Sequence, residues 1–335
     1  MRSSPSADID DSARRAQAEA DAAAAASGVV VRELVAPEEH HAAERLLAEV
    51  WATGPGESPL PAHVMRTLAV IGSYVAGAYT LAGELVGVGA GFLTADTPLL
   101  GPAHLHSHIT GVTSRARGRH VGFALKLHQR AWALRSGIDR VTWTFDPLVA
   151  RNAYFNLVKL GAGASAYLSD FYGGMSDGIN TGQGSDRLLA LWQLRAGATE
   201  HAITGHRPWP DQSGLIAAER VLLRPDDRGA PRYSAVIAAA DADVIVADGP
   251  TGLAELSAAG PLACIIPPDI ERMRREDPGL SLAWREAVRT VLGGAMSARH
   301  HVVGFTRSGC YLLDRVPRPT THGPLPAIAH EEAGS

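Results

Sequence analysis

Apolar and polar positions along the chain change period often, and each change marks an element. Val29-Val-Val-Arg-Glu-Leu34 is a β-branched run that predicts a strand, and residues 37–51 carry apolar side chains at helical intervals. A second helix is predicted over 61–71. Residues 74–81 and 84–93, separated by Ala82-Gly83, predict a hairpin, with Gly87, Gly89 and Gly91 marking a bulge or a close backbone approach. His104-Leu-His-Ser-His-Ile-Thr-Gly-Val112 alternates polar and apolar residues as a strand does, and 122–134 returns to helical spacing. Arg140-Val-Thr-Trp-Thr-Phe145 predicts the next strand, and after a turn-rich segment at 170–184 a further strand runs over 187–194.

From about residue 198 the pattern weakens. A polar Pro/Gly connector at 201–214 precedes strand-like runs at 218–223, 234–239 and 244–247. Two helices follow around 270–275 and 280–296, then strand-like 302–306 and 310–314. The expected organisation is an Ala-rich extension over 1–27, a first domain over 28–197, a smaller C-terminal α/β region over 198–316, and a disordered Pro/Gly-rich tail over 317–335. The alanine tract of the extension favours a helix but offers almost no large apolar face, so weak packing is expected.

Composition narrows the class. The 335 residues are 46% hydrophobic and 20% charged, enough for a full core without a disulfide framework. A formal charge of −4 gives no bulk attraction to nucleic acid. The two cysteines, Cys264 and Cys310, sit in apolar settings and argue against a thiolate metal site. Without a bulky apolar segment near the start, the expectation is a cytoplasmic protein with no membrane contact.

The chemistry concentrates in Val112-Thr-Ser-Arg-Ala-Arg117-Gly118-Arg119-His120-Val121-Gly122, where a strand passes through an Arg/Gly-rich turn into a helix. Backbone N–H groups at a helix start have no intrahelical acceptor and lie at the positive end of the macrodipole, so the turn is a candidate anion cradle. Gly118 and Gly122 let the main chain approach a phosphate, and Arg115, Arg117 and Arg119 can add charge-assisted contacts.

Arg117-Gly118-Arg119-His120-Val121-Gly122 resembles the pyrophosphate loop of the GCN5-related N-acetyltransferase (GNAT) superfamily, with His120 where a glycine stands in the family's commoner wording. The block Arg151-Asn-Ala-Tyr-Phe-Asn-Leu-Val-Lys159-Leu-Gly161 resembles the family's later helix, with Leu157 in place of its usual Tyr general acid and Ala150 in place of its Asn. Trp143-Thr-Phe-Asp146-Pro147, Asp170-Phe-Tyr172-Gly173 and Ser185-Asp186-Arg187-Leu188 resemble a bacterial subgroup known only as predicted acetyltransferases.

The resemblance implies an α/β (α+β) GNAT fold with a mixed, mostly antiparallel sheet. It also implies an acyl-CoA-dependent N-acyltransferase that moves an acetyl or succinyl group onto a small-molecule amine, an amino acid among the candidates. Acetyl-CoA or another acyl-CoA would be the cosubstrate, held by Thr110, Val112, Arg117, Gly118, Arg119, His120, Val121, Gly122 and Asn152. No metal is expected. His120, Leu157 and Ala150 favour the alternative, a GNAT-fold protein that has lost acyl transfer and serves as an acyl-CoA sensor or as a different enzyme.

Amine acylation needs a base and an acid. His106 and His108 share one strand face and are the base candidates, with structural hydrogen bonding as the competing reading. His104 joins them on that face, but with no nearby Asp, Glu or Cys a zinc site is not expected. Asp146 could bind an ammonium group or cap a turn. Tyr154 and Tyr172 are the candidates to protonate the leaving thiolate, and Arg151 and Arg187 those to pair with a carboxylate. Trp284-Arg285-x-x-x-Arg289 sets two arginines one helical turn apart, for an anion or as flanking charges. The C-terminal region is expected to shape the substrate site or to form a homodimer.

Overall fold

The computed structural model describes residues 5–54, 57–97, 101–173, 184–205, 220–234 and 261–315. They fall into two compact units that part at Thr142/Trp143. In the first, helix α1 (Pro5–Ala26) leads to β1 (Val29–Glu33), α2 (Pro37–Trp51), α3 (Ala62–Val70) and the hairpin β2 (Val75–Thr80) and β3 (Leu85–Leu93). Then come β4 (Leu105–Val112), a 3₁₀ turn (Ser114–Ala116), α4 (Val121–Arg135) and β5 (Arg140–Phe145), the strand on which the first unit ends. Strands β1 to β4 pair antiparallel in sequence order, and β5 joins β4 in parallel, so the sheet is mixed.

Both faces of this sheet are covered. Leu46 and Leu47 of α2 and Met65 and Leu68 of α3 pack with Val75, Val88 and Ile109 on one side. On the other, Val121, Ala124 and Leu125 of α4 pack with Val29, Ala78 and Val86. The turn into α2 is held by Glu39, whose carboxylate accepts from the N–H groups of Val35 and Ala36. The Arg32 guanidinium pairs with the same carboxylate and, with those hydrogen bonds, draws its pKa down to about 2 against the cost of burial.

Residues 11–26 are not a weakly packed extension. Ala13, Ala16, Ala20 and Ala24 form a buried stripe along α1, which lies against α4. Small side chains at these spacings let two helix backbones approach closely, so burial here needs no large apolar residue. Glu19 pairs with the buried Arg130 of α4, and Gln17 accepts from Arg135.

The second unit starts at Trp143 and contains a short helix α5 (Ala150–Ala153) that continues as a π-helical segment (Tyr154–Lys159), then β6 (Gly163–Leu168), β7 (Arg187–Gln193) and α6 (Gly197–Ile203). Beyond these lie β8 (Val221–Pro225), β9 (Pro231–Tyr233), β10 (Leu262–Ile265), α7 (Ile270–Glu276), α8 (Pro278–Val288), a second π-helical segment (Arg289–Gly293), α9 (Gly294–Ser297), β11 (His301–Phe305) and β12 (Cys310–Asp314). Its strand order is β7-β6-β11-β12-β10-β8-β9, antiparallel except where β10 meets β8.

The division therefore falls inside the 28–197 stretch expected to form one domain. Residues 143–197 go with the C-terminal region because β6 pairs with β11 at Ala164↔Val302, and Tyr311 donates to the Pro147 carbonyl. Strands β6 and β10 and helix α6 were absent from the sequence reading. The runs expected at 234–239 and 244–247 and the tail at 317–335 lie outside the described residues, apart from Ser234, which is not in a strand. Among the described residues no helix is long and apolar enough to cross a membrane.

Candidate functional site

The loop into α4 turns sharply and leaves main-chain N–H groups unpartnered among the described residues. Gly118 has φ of 79° and His120, the helix N-cap, has φ of 62°, so two of three consecutive residues are left-handed and turn the main chain sharply into the helix. A histidine can hold this conformation, which explains how the loop survives where the family wording has a glycine. The N–H groups of Arg117 and Arg119 are used by Ser114 and Ala116, and those of Phe123 and Ala124 by His120. The N–H groups of Gly118, His120, Val121 and Gly122 have no acceptor among the described residues, and no side chain caps the helix. The surface there is exposed, with Arg117, Arg119 and His120 around it, while Arg115 is tied to Glu84 at 2.9 Å. At Gly122 the nearest heavy atom to an added Cβ would be Val112 Cγ2 at 3.8 Å, so the space beside its Cα is open.

Strand β4 leads into that loop with an unusual edge. Its parallel register with β5 has only two pairs, Leu105↔Val141 and His106↔Thr142. From Ser107 to Val112, which includes Thr110, its strand pairing is with β3 alone, so the other edge is open to an extended ligand. A bulge adds to this: Ala90 faces Ile109 and Gly91 faces Ser107, leaving His108 as the extra residue. Gly91 is required there, since a Cβ would stand 2.7 Å from the His106 carbonyl oxygen.

The strand brings His106 and His108 together at the start of this edge. His106 Nδ1 lies 2.9 Å from Thr142 Oγ1, and His104 Nε2 approaches the same hydroxyl at 2.9 Å. His108 is exposed and meets Phe92 edge-on at 4.9 Å between ring centres. Burial, with the positive potential of His108, His104 and Lys126, pulls the His106 pKa down to about 4, and burial also lowers His104 and His108. On the other face of β4, Lys126 of α4 is buried, donates to Ser107 Oγ at 2.8 Å, and is brought down to about 7 by desolvation. Neither Lys126 nor Thr142 was singled out from the sequence. Among the described residues no group of three or more His, Cys, Asp or Glu is arranged to hold a metal.

The remaining candidates lie in the second unit. Asp146 is not available to an ammonium group. Its carboxylate takes a bidentate pair from Arg285 at 2.7 Å each, a third bond from Arg274 at 2.5 Å, and the Leu148 N–H at 2.9 Å. Burial alone would raise its pKa, but these two guanidiniums hold it well below the usual carboxylate range. Arg285 of the 285/289 pair is thus occupied by Asp146, and Arg289 by Asp186 at 2.9 Å. Arg151 pairs with Glu271 at 2.5 Å.

Arg187 is buried, with its guanidinium carbon 5.1 Å from the centre of the Tyr172 ring, and desolvation lowers its pKa. Tyr172 is exposed, and its hydroxyl is 3.0 Å from Thr144 Oγ1. Tyr154 accepts from Arg307 Nε at 3.3 Å. Leu157 is buried in the π-helical segment, and Asn152 is exposed on α5.

No family model matches the chain, and no curated protein matches it. Solved structures do. Naa20 of Chaetomium thermophilum, solved in complex with a bisubstrate analogue, is 19% identical with a TM-score of 0.41, covering 52% of this chain and 90% of its own. A GNAT-family acetyltransferase from Streptococcus pneumoniae is 15% identical with a TM-score of 0.39, covering 49% and 98%. A GNAT-superfamily phosphinothricin acetyltransferase from Sinorhizobium meliloti, in complex with AcCoA, is 13% identical with a TM-score of 0.39, covering 49% and 87%. Over about half of its length, the chain is similar to acetyltransferases of the GNAT superfamily.

Proposed function

We propose that this protein is an acyl-CoA-dependent N-acyltransferase that transfers an acetyl or succinyl group to the amine of a small molecule, an amino acid being the favoured class. The observation that carries this reading is the row of four N–H groups at Gly118, His120, Val121 and Gly122, left without acceptors at the start of a 15-residue helix with no acid in its first turn. A pyrophosphate supplies several acceptor oxygens at once and suits the positive end of the helix. The open edge of β4 continues from this row and can take the amide groups of an extended pantetheine arm. Acyl-CoA would supply the thioester carbonyl.

The chain's own residues would then handle protons. His106, neutral because burial holds its pKa near 4, accepts a proton from the acceptor amine as nitrogen attacks the carbonyl carbon, directly or through one water. The thiolate leaves with the electron pair of the broken C–S bond. The sulfur takes up a proton as it leaves.

Calorimetry with CoA tests the cradle. Gly122→Val folds, since the space beside its Cα is open, and puts a bulky side chain on a residue that carries one of the four N–H groups; CoA binding is expected to be lost. Normal CoA affinity in the folded variant would remove the cradle from the mechanism. The alternative, an acyl-CoA-binding protein without transfer, is favoured by Leu157 standing where the family has its acid. It would show as CoA binding with no CoA release from any amine in a mass-spectrometric screen of amino acid pools.

A further inference from the structure

We infer that Pro102, His104 and Thr142 act in series as positioning residues that fix the ring tautomer of His106, placing its proton on Nδ1 and its lone pair on Nε2, so that Nε2 is the atom that accepts the proton. This inference rests on the reading of His106 as the base. The direction of each hydrogen bond follows from what each atom can do. A carbonyl oxygen only accepts. His104 Nδ1 lies 2.8 Å from the Pro102 carbonyl, so Nδ1 carries the hydrogen. Thr94 Oγ1, 3.0 Å from the same nitrogen, gives its own proton to the His104 carbonyl and accepts there as well.

A neutral imidazole with hydrogen on Nδ1 has an acceptor at Nε2. Thr142 Oγ1, 2.9 Å away, therefore donates its single proton to His104. That commitment leaves Thr142 only as an acceptor toward its second partner. His106 Nδ1, at 2.9 Å, must then be the donor, and its lone pair falls on Nε2. Nε2 makes no hydrogen bond with any described residue and is not among the buried unpaired atoms.

Two features keep the series in this direction. Thr142 is 2% exposed, so water does not compete for its hydroxyl. Arg140 donates to the same Pro102 carbonyl at 2.6 Å, and its charge, after burial, opposes a second proton on His104. The outcome matters because a free histidine side chain in water prefers hydrogen on Nε2. Without Thr142, His106 would largely present N–H where a lone pair is needed. The parallel register that sets His106 opposite Thr142 is the last pair before the two strands lose contact. The base thus stands at the last point that β5 can still orient it.

Nitrogen-15 NMR of protein labelled at histidine tests this directly, with the His106 ring assigned by its loss in His106→Gln. The intact protein is expected to show His106 with a protonated Nδ1 and a bare Nε2. Thr142→Val should move the proton toward Nε2 and lower kcat by about 10², with KM for acyl-CoA unchanged, while Thr142→Ser should restore both. A protonated Nε2 in the unmodified protein, a measurement that needs no variant, would overturn the inference. So would a ring unchanged in a folded Thr142→Val. If the tautomer changes but turnover does not, the series stands and the assignment of His106 as base falls.

Discussion

As the proposed base, His106 is weaker than acyl transfer would ideally want, because the burial that shields it also drives its pKa to about 4. The consequence for pH dependence is definite. A base works when unprotonated, so kcat should hold as pH falls through 6.5, where an ordinary histidine would fail, and decline only toward pH 4. His106→Ala should lower kcat by about 10² to 10⁴ and abolish that low limb, while CoA still binds in calorimetry. Retention of full activity would leave His108 as the base. Both histidines were legible from strand alternation alone. Thr142 was not, because its contact with His106 spans 36 residues and depends on a parallel register that no local pattern encodes. Of the two readings of Asp146, the turn cap is seen in its bond from the Leu148 N–H, while its arginine partners were out of local reach: Arg274 and Arg285 stand 128 and 139 residues away.

Elements with large apolar residues at a clear period were legible almost to the residue: α2 and β5 match their expected bounds, and β4 and α4 lie within about one of theirs. Strand β6, Gly-Ala-Ser-Ala-Tyr-Leu, lacks the β-branched alternation that signals a strand and exists through its pairing with β7. The π-helical turn before it ends at Gly161, whose φ of 69° favours glycine and whose Cβ would meet the Ala198 carbonyl oxygen at 2.6 Å. Gly161→Ala should therefore cost about 1–3 kcal/mol, read as a lower denaturation midpoint; an unchanged midpoint would show that α6 yields. Nothing in the sequence pattern pointed to α6, the helix pressed against this glycine.

At the scale of the whole molecule, titration ties several buried groups to stability. His104, His106, His108, His128 and His300 all have lowered pKa values with burial as the leading cause, His106 and His128 reaching about 4. The unfolded chain binds protons at these sites below about 6.5; in the folded chain all five resist protonation, His106 and His128 until about 4. The contribution of these rings is therefore full above 6.5 and is lost as pH falls through that window, by at most about 3 kcal/mol for each of the two largest shifts. Glu39 and Asp146 titrate below it, and Lys126, near 7, changes little within it. Tm should drop steeply between pH 6.5 and 4.5, and less so in His128→Gln; a flat Tm would show that these rings stay hydrated.

The alanine stripe of α1 also bears on synthesis. Glu19 and its partner Arg130 are 111 residues apart. At ribosomal rates the finished helix α1 waits roughly 6 to 22 seconds for the helix it will cover. A stripe of leucines would spend that interval as a sticky surface. A stripe of alanines stays harmless in water and becomes adhesive only when a complementary backbone arrives close enough to use it.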